Sequence, residues 1–116
     1  LVKQPQFRLI MLRLLHHFDV FNANHTIGMH TLFLLDLHPK EDKFMTVPEA
    51  ISFLVSKGVD ASLLGVACCA LGSEKQVIVA GSLKELQGKT FDVFPQCLII
   101  PGKLHFMEEE FLEQFK

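Results

Sequence analysis

Apolar and polar positions along this chain follow two rhythms, and each rhythm predicts an element. His30 to Leu37, HTLFLLDL, is almost continuously apolar and predicts a buried strand. Leu63 to Leu71, LLGVACCAL, predicts a second strand ended by Gly72-Ser73. Gln76 to Ala80, QVIVA, is rich in β-branched residues and predicts a third, broken by Gly81. Cys97 to Ile100, CLII, predicts a fourth. Between these runs the period lengthens. Ala50, Ile51, Leu54 and Val55 recur at helical spacing behind Thr46-Val47-Pro48-Glu49, which has the form of a capping box with proline in the first turn. That helix should stop near Lys57-Gly58. Ser82 and Glu85 form a second capping box, for a short helix through Leu86, and Phe106 to Phe115 predicts a final helix with Met107, Phe111, Leu112 and Phe115 inward. Residues 9–27 are ambiguous, because Leu9, Leu12 and Leu15 also fall at helical spacing. A helix is expected from Asp19 to Ile27, with Gly28 as its stop.

Strands separated by helices imply α/β layering. The runs at 63–71 and 76–80 follow each other too closely for a crossover and should pair antiparallel. The expected fold class is therefore α/β, a mixed sheet with helices packed on it. A length of 116 residues fits one domain, and no internal repeat is visible.

Composition narrows the function classes. Apolar residues make up 49% of the chain and charged residues 21%, a globular profile. Eleven Phe with no Trp or Tyr point to aromatic core filler, with few amphipathic rings for a binding platform. The net charge is −2, and the basic cluster of Lys3, Arg8 and Arg13 is too sparse for a phosphate groove, so nucleic acid is not an expected partner. The apolar run from Leu9 to Leu15 is too short for a membrane span, and His16-His17-Phe18-Asp19 supplies no signal cleavage site. Cys68, Cys69 and Cys97 are odd in number and lack the Cys-x-x-Cys spacing, which suits buried structural thiols in a reducing cytosol.

None of the six histidines has the spacing of a zinc hydrolase, so no metal site is expected. Asp36 ends a buried strand, where its carboxylate needs a partner. A structural role there is preferred over that of a base, and no catalytic residue is assigned. Glu108-Glu109-Glu110 suits the dipole at the start of the last helix. Pro101-Gly102-Lys103 reads equally as a ligand-facing loop or as a tight turn with a solvated lysine.

Several pieces, in order and in register, carry a resemblance. They are Phe18-Asp19-Val20; Gly28-Met29-His30-Thr31-Leu32 leading to Leu34-Leu35-Asp36; Phe44-Met45-Thr46 with Glu49-Ala50; Leu71-Gly72-Ser73; Ala80-Gly81; and Leu98-Ile99-Ile100-Pro101-Gly102-Lys103-Leu104-His105 followed by Met107-Glu108. Residues 18–116 resemble the C-terminal domain of the diphthine synthase family, leaving residues 1–17 as a divergent N-terminal segment. The family comprises S-adenosylmethionine-dependent methyltransferases of diphthamide biosynthesis in the tetrapyrrole-methylase-like class. They have two α/β domains with the cofactor in the cleft between them.

The resemblance implies methylation of the modified histidine of translation elongation factor 2, a cytoplasmic location and a homo-oligomer, a dimer. Carried over position by position, it implies cofactor contacts at three residues. Leu35 matches a strand-end residue that packs on the cofactor, and Leu71 a position where backbone groups reach it. Gln96 stands where the family usually has histidine, so a contact there would be a hydrogen bond and not a protonation switch. The family's N-terminal half carries a glycine-rich first loop and a Pro-Gly-Asp-Pro segment, and neither occurs in these 116 residues. Binding of S-adenosylmethionine is therefore expected only together with that half. The sequence reads either as a piece of such an enzyme or as a shorter homologue. The competing function is a non-catalytic α/β dimerisation or interaction domain with the same fold.

Overall fold

The computed structural model describes residues 9–13, 21, 25, 28–38, 43–102 and 106–116. Its elements in chain order are β1 (Leu9–Arg13), β2 (His30–Leu34), β3 (Asp36–His38), β4 (Lys43–Phe44), α1 (Val47–Ser56), β5 (Leu64–Cys69), β6 (Val77–Ser82), α2 (Leu83–Gln87), β7 (Gln96–Ile100) and α3 (Phe106–Glu113). The main sheet runs β1-β2-β7-β5-β6, and β3 and β4 form a separate two-stranded ladder. β1 lies parallel to β2, whereas the β2–β7, β7–β5 and β5–β6 pairs are antiparallel. The sheet is mixed, and β5 and β6 form the expected antiparallel pair.

Three differences from the sequence reading have physical causes. The ambiguous segment at 9–27 begins with a strand, since Leu9–Arg13 finds a ladder partner in β2. The sheet therefore draws on residues before position 17. The apolar run at 30–37 is two strands, not one: it leaves the main sheet at Leu35, and Asp36 pairs instead with Phe44. Gly81 does not break its strand, because β6 continues to Ser82 with Gly81 opposite Gly65. Of the helix expected over 19–27, Phe21 and His25 are helical and the rest lies outside the described residues. Gly28 follows with a left-handed φ of 81° and donates its N–H to the His25 carbonyl, as a helix stop does.

Side-chain alternation sorts the sheet into two faces. Phe33, Ala67, Cys69, Leu98 and Ile100 belong to the main core, together with Val47, Ala50, Ile51 and Leu54 of α1 and Leu83 and Leu86 of α2. Val66, Cys68 and Ala80 form a second cluster, with Ile78, Cys97 and Ile99, against Leu112 of α3 and Phe115 beyond it. The result is three layers, helices on both sides of the sheet. β5 is inner and buried almost throughout, which explains its unbroken apolar run. Both capping boxes are formed: Thr46 with Glu49 opens α1, and Ser82 with Glu85 opens α2. The edge strand β6 is tied to the chain end by a 2.8 Å bond from the Ala80 N–H to the Phe115 carbonyl. No helix among the described residues is long and apolar enough to cross a membrane.

Thr31 is fully buried, and its hydroxyl has no hydrogen-bond partner among the described residues. Valine keeps the shape and removes a buried polar atom that costs roughly 1–3 kcal/mol when unpaired. Thr31→Val should therefore stabilise the fold by about 1 kcal/mol in urea denaturation. A lower midpoint would show that the hydroxyl has a partner.

Candidate cofactor-facing site

β7 lies between β2 and β5 and runs antiparallel to both, so its start sits at the same end of the sheet as their ends. Leu34 is paired with Cys97, and Cys69 with Gln96. Topology thus brings Leu35, Leu71 and Gln96 to one end of the sheet, although they are widely spaced in sequence.

The chain leaves β5 through Ala70, a non-glycine residue with φ of 51°. This residue is held by the sheet and by the turn that follows. Its N–H donates to the Pro95 carbonyl at 2.8 Å, and its own carbonyl accepts from the Ser73 N–H at 3.1 Å and the Ser73 hydroxyl at 2.8 Å. The Gly72 N–H donates to Gln76 Oε1 at 2.8 Å, which fixes the far side of the turn. The turn leaves Leu71 54% exposed, an apolar side chain at the surface. Across from it stands the loop before β7, where Phe91 is buried, Phe94 is 43% exposed and the Phe94–Pro95 peptide is cis. Between turn and loop lies an open pocket of about 370 Å³. Leu71, Val93 and Phe94 supply its apolar lining, with Ser73, Lys75 and Asp92 as polar groups.

Gln96 sits behind this pocket and is 4% exposed. Its Oε1 accepts from the Val47 N–H at 2.8 Å, satisfying a donor in the first turn of α1 that has no intrahelical partner. Its Nε2 donates to the Phe91 carbonyl at 3.0 Å and to the Val93 carbonyl at 3.2 Å. Both donors of the amide are used, and the side chain braces the pocket's loop wall against α1. Leu35 is 2% exposed within the main core, and its carbonyl accepts from the Met45 N–H at 2.8 Å. Of the three residues carried over from the family pattern, Leu71 alone lines the pocket; Leu35 and Gln96 lie beneath this end of the sheet.

The other residues weighed from the sequence fall elsewhere. His30 Nδ1 accepts from the Gly102 N–H at 2.9 Å, joining the start of β2 to the turn after β7. Lys103 and His105 lie outside the described residues, as does the side chain of Asp36. No group of three or more metal-ligating side chains occurs among the described residues. Sequence reasoning missed Val93, Phe94, Lys75 and Asp92. The available signal was Val93-Phe94-Pro95, an apolar stretch just before a strand, where a loop would ordinarily be polar.

No family model matches the chain. Among curated proteins, the diphthine synthase of Methanococcus maripaludis strain C5 is 38% identical over 103 residues, covering 83% of this chain and 40% of that protein. The diphthine synthase of Staphylothermus marinus is 41% identical over 84 residues, 70% of this chain and 32% of that protein. Among solved structures, a crystal structure of diphthine synthase superposes with a TM-score of 0.76 at 31% identity, over 93% of this chain and 43% of that one. The chain thus spans about two-fifths of the length of the curated relatives it matches. Sequence and fold agree with the order of motifs along the chain, and the chain belongs to the diphthine synthase family, matching the C-terminal part of those proteins.

Proposed function

We propose that this chain forms one wall of the S-adenosylmethionine site of a diphthine-synthase-type methyltransferase, acting on the modified histidine of translation elongation factor 2. The observation that carries the reading is the pocket at the sheet end, flanked by the exposed Leu71 and Phe94 and backed by Gln96. An apolar wall with a few polar groups suits a ligand that combines a flat base with a charged tail. The cofactor supplies an electrophilic methyl group on a sulfonium centre. Transfer of that group depends mainly on in-line placement of the acceptor. This chain's contribution is accordingly to bind and to orient.

In this reading Leu71 and Phe94 cover one side of the ligand, and Gln96 acts indirectly by holding the wall formed by residues 91–95. Leu35 supports the floor from within the core. Exposed apolar residues at this end fit a surface that a second domain covers. Homo-oligomer formation and recognition of elongation factor 2 belong to the same reading.

A nuclear magnetic resonance titration with S-adenosylhomocysteine, the product of the methyl donor, tests it. One wall provides only part of the contacts, so binding weaker than about 100 μM is expected. The amide shifts should be confined to residues 70–76 and 91–97. Shifts centred on another surface would reject the site. Sub-micromolar binding would mean that this wall is a complete site.

A further inference from the structure

Two of the three cysteines, far apart in sequence, face each other across the sheet. Cys68 of β5 lies directly opposite Cys97 of β7. Residues opposite one another in an antiparallel ladder project to the same face, and here both thiols join the cluster beneath Leu112 and Phe115. The bond from the Ala70 N–H to the Pro95 carbonyl makes 70 and 95 a hydrogen-bonded pair. The 68–97 pair lies two residues further along the ladder and is of the same kind. Such pairs have Cα atoms about 5.5 Å apart, within the range a disulfide spans, but Cβ atoms about 1 Å wider than in a relaxed bridge, so closure draws the two strands together and leaves a bond that is readily reduced. Cys69 projects to the opposite face, is fully buried, and cannot join the pair although it is adjacent in sequence.

The two thiols also differ in access. Cys97 is half-buried, within reach of a small uncharged oxidant, whereas Cys68 is 4% exposed and has Cys97 as its natural reaction partner. A hydrogen bond from Cys68 holds the Cys97 thiol below its ordinary value, and the same bond, together with burial, pushes Cys68 up. The two thiols titrate as a pair, and Cys97, the more accessible of them, is the one that meets the oxidant. Burial raises Cys69 to about 11, which keeps it protonated and inert.

We propose that Cys68 and Cys97 are a peroxide-sensitive dithiol that closes reversibly to a cross-strand disulfide within one chain. In the first step the Cys97 thiolate attacks hydrogen peroxide. A sulfur–oxygen bond forms, the oxygen–oxygen bond breaks and hydroxide leaves, giving a sulfenic acid. In the second step the Cys68 sulfur attacks the Cys97 sulfur. The sulfur–oxygen bond breaks, and the hydroxyl departs with the Cys68 proton as water. In sum, two thiols and one peroxide give one disulfide and two waters. The bond ties β5 to β7 just inside the two segments, at Ala70 and Pro95, that lead into the pocket walls.

The test treats the chain with a small excess of hydrogen peroxide, blocks remaining thiols with N-ethylmaleimide under denaturing conditions, and reads intact mass and peptide maps. The expected product is a monomer that has lost two hydrogens and takes up one maleimide, at Cys69, with dithiothreitol restoring all three thiols. Cys69→Ser, which retains only the two proposed partners, should form the same bond to the same extent. Cys68→Ser should instead carry Cys97 on to the sulfinic acid, for want of a resolving thiol. Sulfinic acid at Cys97 of the unmodified chain with Cys68 still free would overturn the proposal, as would a disulfide between chains or one that includes Cys69. The unmodified chain and Cys69→Ser decide the matter without any variant that disturbs the pair.

Discussion

Replacing Gly102 with alanine should destabilise the chain by about 3 kcal/mol, at the upper end of what forced overpacking costs. A Cβ at this position would overlap the carbonyl group of Gly28 and crowd the Met29 carbonyl oxygen, which are backbone atoms and not the tips of flexible side chains. Neither partner can retreat easily. The Gly102 N–H is bonded to His30 Nδ1, and Gly28 holds a left-handed turn whose N–H is bonded to His25. With no Trp and no Tyr in the chain, unfolding in urea is best followed by far-ultraviolet circular dichroism. A loss below about 0.5 kcal/mol, the usual size of a neutral surface change, would show that the two turns do not meet this closely.

Gln96→Leu should cost a comparable amount, about 3 kcal/mol, for a different reason. Leucine fills the space but leaves the Val47 N–H and the Phe91 and Val93 carbonyls without their partner. Gln96→His, which installs the residue usual in the family, keeps one acceptor and one donor and should recover about half of that loss. Hydrogen exchange separates this local effect from a general loosening: the loop at 91–95 and the first turn of α1 should open before the sheet does. If Gln96→Leu were neutral, the amide would not be the brace described here, and the wall of the pocket would be held by other means.

Much of the fold was legible because local chemistry and tertiary structure agree. Both capping boxes, the stop at Gly28 and the strand at CLII depend on neighbours within a few residues, and each is formed by the residues that predict it. The misreadings occur where a distant partner decides. Leu9–Arg13 carries apolar residues compatible with either period, and pairing with β2 settles it as a strand. The apolar run after His30 has no internal signal for the break at Leu35, which comes from the ladder between Asp36 and Phe44. Gly81 reads as a breaker in isolation, yet its place opposite Gly65 in a long hairpin carries the strand through it.

The candidate site divides in the same way. Leu71 and Gln96 could be singled out from the order of motifs alone, because motif spacing survives in a linear string. That Leu71 lies at the surface while Gln96 is fully engaged behind it follows only from the antiparallel placement of β7 between β2 and β5. The chain's own pattern was sufficient for the α/β class, the helix starts and the family, since each rests on residue type and short-range spacing. Register decided the exposed wall at 91–95, the meeting of Gly102 with Gly28, and the pairing of Cys68 with Cys97. Those contacts join segments roughly 20 to 75 residues apart, and no local propensity specifies which strand will lie beside which.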